Sequence, residues 1–329
     1  MEIKKIIIVG GGSAGWMTAS TLIKAFPKKI ITVIESPDVP VIGVGESTLA
    51  TIKMWTNFLG IEDKDFMPAC DASYKLGIMF TDFYKKGTQF CYPFGKPETS
   101  GCTSGLNDWW FKKSVYPKTP NSNYAESFYP QMSMINQNKF FNDSDEKISF
   151  NKGTDSSYHF NAVKFGQWLK DNYAIPRGVK YLKEHIHTIK QNNNGIVSLN
   201  NKHKADLYID CTGFKSLLLS ETLKEPFESY SDLLPNDSAW VAQKPFKNKK
   251  KELVNYTNCT ALENGWVWNV PLWSRIGTGY VYSSDFVSDE DALKQFQKHL
   301  GTKELEFRNI KSRVGIHKRL WVKNVVAIG

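Results

Sequence analysis

Cysteine is scarce and badly spaced for either of its structural uses. The five, Cys70, Cys91, Cys102, Cys211 and Cys259, are odd in number and form no C-x-x-C pair. That spacing argues against a disulfide framework and against a zinc site, so no metal is expected, and it fits a reducing cytoplasm. Long apolar runs are also missing, and none approaches the roughly 18 residues of a membrane span. The first strand-like segment starts within a few residues of Met1, which leaves no room for a signal peptide. The chain is therefore expected to be cytoplasmic. Acids are short relative to bases, 33 against 42, for a formal charge of +9. The lysines are scattered, however, and the densest run, Lys247 to Lys251, is flanked by Pro245 and Glu252. It reads as a solvated loop, with neither nucleic acid nor membrane as partner. The positive field does no more than draw anions toward a site.

What is present is apolar and aromatic. Apolar residues make up 41% and aromatics 13% of 329 residues, enough for a core larger than one average domain. The chain begins with a buried-strand pattern, Ile6-Ile7-Ile8-Val9, and runs into Gly10-Gly11-Gly12-Ser13-Ala14-Gly15. A helix is expected from about Ser13 to Phe26, then a strand from Ile30 to Ile34 that ends at Glu35. This is the G-x-G-x-x-G fingerprint with strand before, helix after and acid beyond. Gly10 makes the tight turn, Gly12 admits a pyrophosphate, and Gly15 lets helix and strand pack closely. Phosphates favour the free N–H groups of such a helix N-terminus. Glu35, twenty residues past Gly15, is placed to accept hydrogen bonds from a ribose.

Further along, Val41 to Leu49 contains Gly43 and Gly45, followed by Glu46-Ser47-Thr48. It reads either as a second strap able to approach a ligand or as a strand ending in a helix N-cap at Ser47 or Thr48. Helix over residues 49 to 59 is expected to close at Gly60. Residues 72 to 80 read as one strand in which Lys75 is the single cation. Taken alone, such a lysine lies at a strand edge with its amine in water. The alternative is an amine in a dry pocket, where desolvation lowers its pKa and frees it as nucleophile or donor. Residues 84 to 150 lose periodicity and read as a loop-rich aromatic insertion. A helix from Ala162 to Tyr173 is expected to bury Val163, Phe165, Trp168 and Leu169, and His159 before it reads as a hydrogen-bonded structural histidine. Val179 to Ile189 reads as a strand that turns at Asn192–Gly195 and returns over Ile196–Leu199.

The strand Ala205–Asp210 ends in Thr212-Gly213, a motif that turns the dinucleotide assignment toward FAD. In Gly265-Trp266-Val267-Trp268-Asn269-Val270-Pro271 the two tryptophans alternate, so both rings face one side of a strand. Ser288 is the expected N-cap of a helix to Leu300. The final Val325-Val326-Ala327-Ile328-Gly329 is a strand running into glycine, and a longer native chain is expected.

These motifs resemble the flavin-dependent halogenases, in the tryptophan-halogenase branch, over essentially the whole chain. The likeness rests on Gly10–Gly15, Gly45–Thr48, Tyr74-Lys75-Leu76-Gly77, Tyr158-His159-Phe160, Asp210-Cys211-Thr212-Gly213-Phe214 and Gly279–Ser283. It rests most on the W-x-W-x-I-P signature, here Trp266 to Pro271 with valine for isoleucine. The implied fold is α/β with α+β insertions. It pairs a Rossmann-type FAD-binding domain of the glutathione-reductase/monooxygenase kind (1–83, 155–225 and 305–329) with an aromatic insertion (84–154) and a substrate- or tunnel-side sheet domain (226–304). The implied activity is FADH2-dependent halogenation of an indole- or phenol-like aromatic. A separate flavin reductase supplies FADH2, and O2 and chloride, bromide or iodide are co-substrates. In the family a flavin hydroperoxide yields hypohalous acid, which travels to the lysine, here Lys75. The implied cofactor-binding residues are Gly10, Gly12, Ser13, Ala14, Gly15, Glu35, Gly45, Glu46, Ser47, Thr48, Ile186 and Gly329. Phe94, Trp266, Trp268 and Pro271 fall on the substrate or tunnel side. The family's His-Pro-Phe-Gly run is Tyr92-Pro93-Phe94-Gly95 here, which puts free tryptophan in doubt as substrate. The family's catalytic Glu falls beyond Gly329. A flavin monooxygenase on the same scaffold, or a non-catalytic FAD-binding relative, is the alternative, and a homo-oligomer is compatible with either.

Overall fold

The computed structural model describes residues 2–38, 43–97, 105–121, 123–140 and 150–328. Gly329, Val41 and Ile42 lie outside the described residues. Two compact units are built from interleaved segments. The first takes Met1–Gly43, Ala162–Asp237 and Lys311–Gly329; the second takes Val44–Asn161 and Ser238–Ile310. Residues 44–83, expected with the FAD-binding region, thus belong to the second unit.

The first unit is organised by a six-stranded sheet. Its order is Trp321–Val322, Val325–Ala327, Leu207–Asp210, Lys5–Val9, Ile30–Glu35 and Lys180–Lys183. All neighbours are parallel except the first pair. Parallel strands are buried on both faces, and Ile7, Val9, Ile34, Tyr208 and Val325 accordingly share one core cluster. The Ser13–Ala25 helix follows Lys5–Val9 directly. The helix of residues 162–173 is present only in part: it is α-helical over Ala162–Trp168 and widens to π-type turns over Leu169–Ala174. Phe165 and Leu169 are buried as expected, whereas Val163 is exposed. The expected strand 179–189 is interrupted. It pairs with the sheet only over Lys180–Lys183, and the chain resumes strand pairing at Ile189–Asn192.

The second unit has a seven-stranded sheet ordered Arg308–Lys311, Ser238–Lys244, Ile276–Tyr282, Gly265–Pro271, Tyr256–Leu262, Gly77–Thr81 and Gln89–Pro93. The Asp289–Leu300 helix covers part of it, with Ala292 and Phe296 packed on Val267, Tyr280 and Tyr282. Ser288 caps that helix by accepting from Asp291 N–H at 3.1 Å. A smaller antiparallel sheet joins Glu46–Ser47, Ser157–Phe160 and Ser73–Lys75.

Three expectations fail in the second unit. Ser47 and Thr48 do not cap a helix: Ser47 is drawn into the small sheet opposite His159, and the Thr51–Leu59 helix starts after Ala50. The 84–150 insertion is not loop-rich where it is described, since it holds the strand Gln89–Pro93 and helices Gly105–Val115, Asn123–Phe128 and Gln131–Gln137. Its aromatics hide the helical period because they occupy several faces: Trp109 is buried while Trp110 and Phe111 are exposed. Finally, 72–80 is two strands, not one, split at Leu76.

Candidate active site

The split at Leu76 creates the site. Ser73–Lys75 pairs with Ser157–His159 in the small sheet, and Gly77–Thr81 pairs with Tyr256–Thr260 in the large one. Leu76 carries the chain across: its N–H donates to Asn255 O at 2.7 Å, and its carbonyl accepts from Phe94 N–H at 2.8 Å. A side chain at Gly77 would meet Tyr92 O at 2.7 Å, so only glycine permits this close crossing. Lys75 therefore lies between two sheets instead of at an edge, and it is 1% exposed. The edge-lysine expectation fails because one strand was expected where the chain changes partners.

Alternation along the small sheet sorts its side chains into two faces. Ser73 and Lys75 stand opposite His159 and Ser157, with Ser47 also opposite His159, so these five share one face. Tyr74 and Tyr158 share the other. Each face holds its own polar network.

On the first face, Lys75 Nζ donates to Ser47 Oγ at 2.6 Å and to Thr48 O at 2.9 Å. It lies 4.8 Å from the centroid of the Phe94 ring. Among the described residues no carboxylate pairs with it. Burial lowers its pKa to about 8, against a smaller opposing pull from the Cys259 thiol. That thiol is itself pushed up to about 11 by burial. Ser47 Oγ lies 2.6 Å from Thr257 Oγ1, which lies 2.9 Å from His159 Nε2. His159 is wholly buried and held well below its ordinary pKa, first by desolvation and then by the Lys75 charge, so it is neutral. Its Nδ1 lies 3.3 Å from Ser73 Oγ, and Ser73 Oγ donates to Pro271 O at 2.7 Å.

On the second face Asp63 collects four partners. Tyr74 OH donates to it at 2.8 Å, Tyr158 OH donates to its other oxygen, and Lys152 and Lys53 lie at 2.9 and 3.5 Å. Desolvation opposes ionisation of Asp63, but the bonds from Lys152 and Tyr158 and the Lys53 charge outweigh it and hold its pKa at about 2. Lys53, buried against the Tyr158 ring at 4.1 Å, is lowered to about 8 by desolvation.

Trp266 and Trp268 stand with ring centroids 6.0 Å apart and tilted by 56°. A Cβ on Gly279 would meet the Trp268 ring at 2.2 Å, so this ring lies across a glycine of the neighbouring strand. Phe94 is 5% exposed, and the bond from its N–H to Leu76 O is what seats it beside Lys75. Pro271 enters through its carbonyl. The structure thus brings Lys75, Ser47, Thr48, Phe94 and Pro271 together. Glu46 accepts from Val44 N–H at 3.3 Å, beside Gly45 at φ +128°. Two members were missed, Thr257 and Cys259. Their signal was the period-two spacing in Tyr256–Leu262, which puts both on one face.

In the first unit the glycine turn has the geometry a dinucleotide needs. Gly10 has φ +113°, and a side chain there would strike Cys211 O at 2.1 Å. A Cβ on Gly15 would lie 1.9 Å from Gly10 O, whereas one on Gly12 meets nothing within 4 Å. There is open room where a pyrophosphate belongs, at the N-terminus of Ser13–Ala25. Ser13 Oγ donates to Ala162 O at 3.0 Å, and Ala14 follows in the first turn. Glu35 Oε2 is buried without a hydrogen-bond partner, and its nearest cation, Lys170 Nζ, stands at 3.8 Å. An orphaned carboxylate oxygen fits a ribose hydroxyl. Gly11, which sequence reasoning passed over, is needed because a Cβ would lie 2.4 Å from Glu35. The Ile186 side chain packs on the core cluster around Ile7 and Ile34.

The chain as a whole is matched by known proteins. The family model for tryptophan halogenase matches residues 5–329. Tryptophan 6-halogenase SttH of Streptomyces toxytricini is 36% identical over 99% of this chain and 66% of its own length. Tryptophan 7-halogenase RebH of Lentzea aerocolonigenes is 33% identical over 100% of this chain and 65% of its own. Among solved structures, VirX1 in its apo form superposes with a TM-score of 0.95 at 42% identity, covering 100% of this chain and 65% of that one. The chain belongs to the tryptophan halogenase family, and it spans just under two thirds of the length of SttH and RebH. Among the described residues no helix is long and apolar enough to cross a membrane.

Proposed function

We propose that this protein halogenates an electron-rich aromatic, indole- or phenol-like, and that Lys75 is the residue that presents the halogen. The carrying observation is the Lys75 amine: buried, without a carboxylate partner among the described residues, and lowered to about 8. Gly10, Gly12, Ser13, Ala14, Gly15 and Glu35 hold FAD in this reading. Reduced FAD, recharged by a separate flavin reductase, supplies the electrons with which O2 and chloride, bromide or iodide become hypohalous acid.

The lysine's part follows from its hydrogen bonds. Two of its tetrahedral positions are committed to Ser47 Oγ and Thr48 O. One position remains. In the ammonium it is an N–H able to hold the oxygen of hypohalous acid by a charge-assisted bond. In the amine it is a lone pair able to take the halogen itself. With a pKa of about 8 both forms are populated near neutrality. Phe94 keeps water from the amine. Trp266 and Trp268 are the wall that separates the aromatic substrate from the cofactor.

The test is incubation of the full-length protein with FAD, a reductase, NADH, halide salts and a panel of indoles and phenols, read by halogen isotope patterns. Halogenated product that disappears in Lys75→Ala is expected. Hydroxylated product without halogen would identify a monooxygenase, and regioselective halogenation by Lys75→Ala would refute the role of Lys75.

A further inference from the structure

We infer that His159 is a positioning residue for Lys75: through Thr257 and Ser47 it fixes the direction of a buried hydrogen-bond chain, so that Ser47 only accepts from the lysine and the amine lone pair stays free. This rests on the reading of Lys75 as the reactive amine.

The direction follows from groups that can act only one way. The Pro271 carbonyl can only accept, and Ser73 Oγ donates its single proton there. Toward His159, Ser73 can then only accept, so Nδ1 carries the imidazole proton. A buried neutral imidazole has one N–H, which leaves Nε2 bare, and Thr257 must donate to it. With its proton spent on His159, Thr257 accepts from Ser47. Ser47 in turn has no proton left for Lys75 and takes one from it. Every bond in the chain runs from the lysine to the Pro271 carbonyl.

The consequence is local and specific. A serine beside an amine ordinarily rotates to donate to the lone pair whenever the amine is neutral. That bond would stabilise the neutral amine and occupy the electrons it reacts with. Here the rotation is blocked two residues away. A wholly buried histidine thus decides which face of Ser47 the lysine meets. The chain also ties the lysine to the strand that carries Trp266 and Trp268, since its last acceptor is Pro271.

The test reads the lysine itself. In protein labelled with 13C at lysine Cε, the Lys75 resonance is assigned by its loss in Lys75→Met and titrated between pH 6 and 11. The other titrating groups on this face are His159 and Cys259, held respectively well below and well above the lysine. Lys53, Asp63, Lys152, Tyr74 and Tyr158 lie on the other face and are common to all variants. Thr257→Val, nearly isosteric, and His159→Leu each free the Ser47 proton. Each is expected to lower the Lys75 pKa by about 0.7 pH unit, roughly fivefold in the proton equilibrium, the net worth of one neutral hydrogen bond. Thr257→Ser and His159→Gln keep a donor and an acceptor in place and are expected to restore the native value. An unshifted lysine in folded Thr257→Val overturns the inference, as does an equal shift in His159→Gln and His159→Leu. Halogenation assayed on the same samples separates the two readings. A responsive lysine in an inactive wild type defeats the functional assignment alone, and an active enzyme whose lysine ignores Thr257 defeats the relay alone.

Discussion

Replacing Lys75 by methionine removes a buried charge while keeping a linear side chain of similar reach. The structure sets the size of the effect. An ordinary lysine titrates at 10.5 and this one at about 8. At about 1.36 kcal/mol per pH unit, the difference corresponds to about 3 kcal/mol. The sign follows from linkage: between pH 8 and 10.5 the unfolded chain binds the proton that the folded chain has lost, so wild-type stability rises with pH across that window. Below the folded value the full penalty applies. Methionine has no such penalty at any pH, though it leaves the Thr48 carbonyl without its donor, at a cost of about 1–3 kcal/mol. Near pH 7 the variant should therefore match or slightly exceed wild type, and by pH 10 wild type should have gained about 2.5 kcal/mol on it. Lys53 titrates in the same window but in both proteins, and it cancels in the difference. Urea denaturation of the pair at pH 7, 8, 9 and 10 measures this directly. Stability curves that stay parallel from pH 7 to 10 would refute the desolvated amine, and with it the chemistry built on it.

Three further substitutions test other parts of the molecule. Gly12→Ala, whose Cβ meets nothing, should cost less than about 1 kcal/mol of stability yet weaken FAD binding measured by fluorescence, because it fills the room left for the pyrophosphate. Gly15→Ala should cost about 2 kcal/mol or more, since its Cβ meets a backbone oxygen that cannot move aside, and equal thermal stability of the two variants would refute the division of roles. Asp63→Asn removes the counter-charge of buried Lys53 and should destabilise by about 2–3 kcal/mol near pH 7, the worth of the depression of the Asp63 pKa from 3.8 to about 2. Because the folded-state pKa of Asp63 is depressed to about 2, its contribution is present above pH 4 and lost as the pH falls toward 2. The stabilities of Asp63→Asn and wild type should converge over that range, and acid unfolding curves check it.

The parts of this fold that could be read in advance are those whose reasons are local. The Gly10–Gly15 turn and Glu35 have their meaning within a single strand, turn, helix and strand. Ser288 and Gly301 mark a helix through bonds three or four residues long. Lys75 is different in kind. Its burial depends on Leu76 passing the chain from one sheet to another, and neither sheet is visible in nine residues of apolar sequence. The resemblance to a halogenase identified the lysine, but not what holds it. Thr257 reaches it from a strand far along the chain, and Ser47 reaches it only because pairing with His159 overrides its preference for a helix cap. His159 was legible as a buried, bonded histidine, yet its place in the chain between Thr257 and Ser73 is purely tertiary.

The interleaving of the two units has a consequence for how the protein is made. Lys5–Val9 leaves the ribosome about two hundred residues ahead of its partner Leu207–Asp210, as the 201-residue separation of the Lys5–Asp206 bond shows. Val325–Ala327, which completes the parallel core of that sheet, comes later still. Contacts this distant close slowly. The second unit, with antiparallel neighbours joined by short turns between Tyr256 and Tyr282, can form while the dinucleotide sheet still has an open edge. During synthesis the apolar Ile6–Val9 segment has only Ile30–Glu35 to pair with, and it is the stretch a chaperone would be expected to shield.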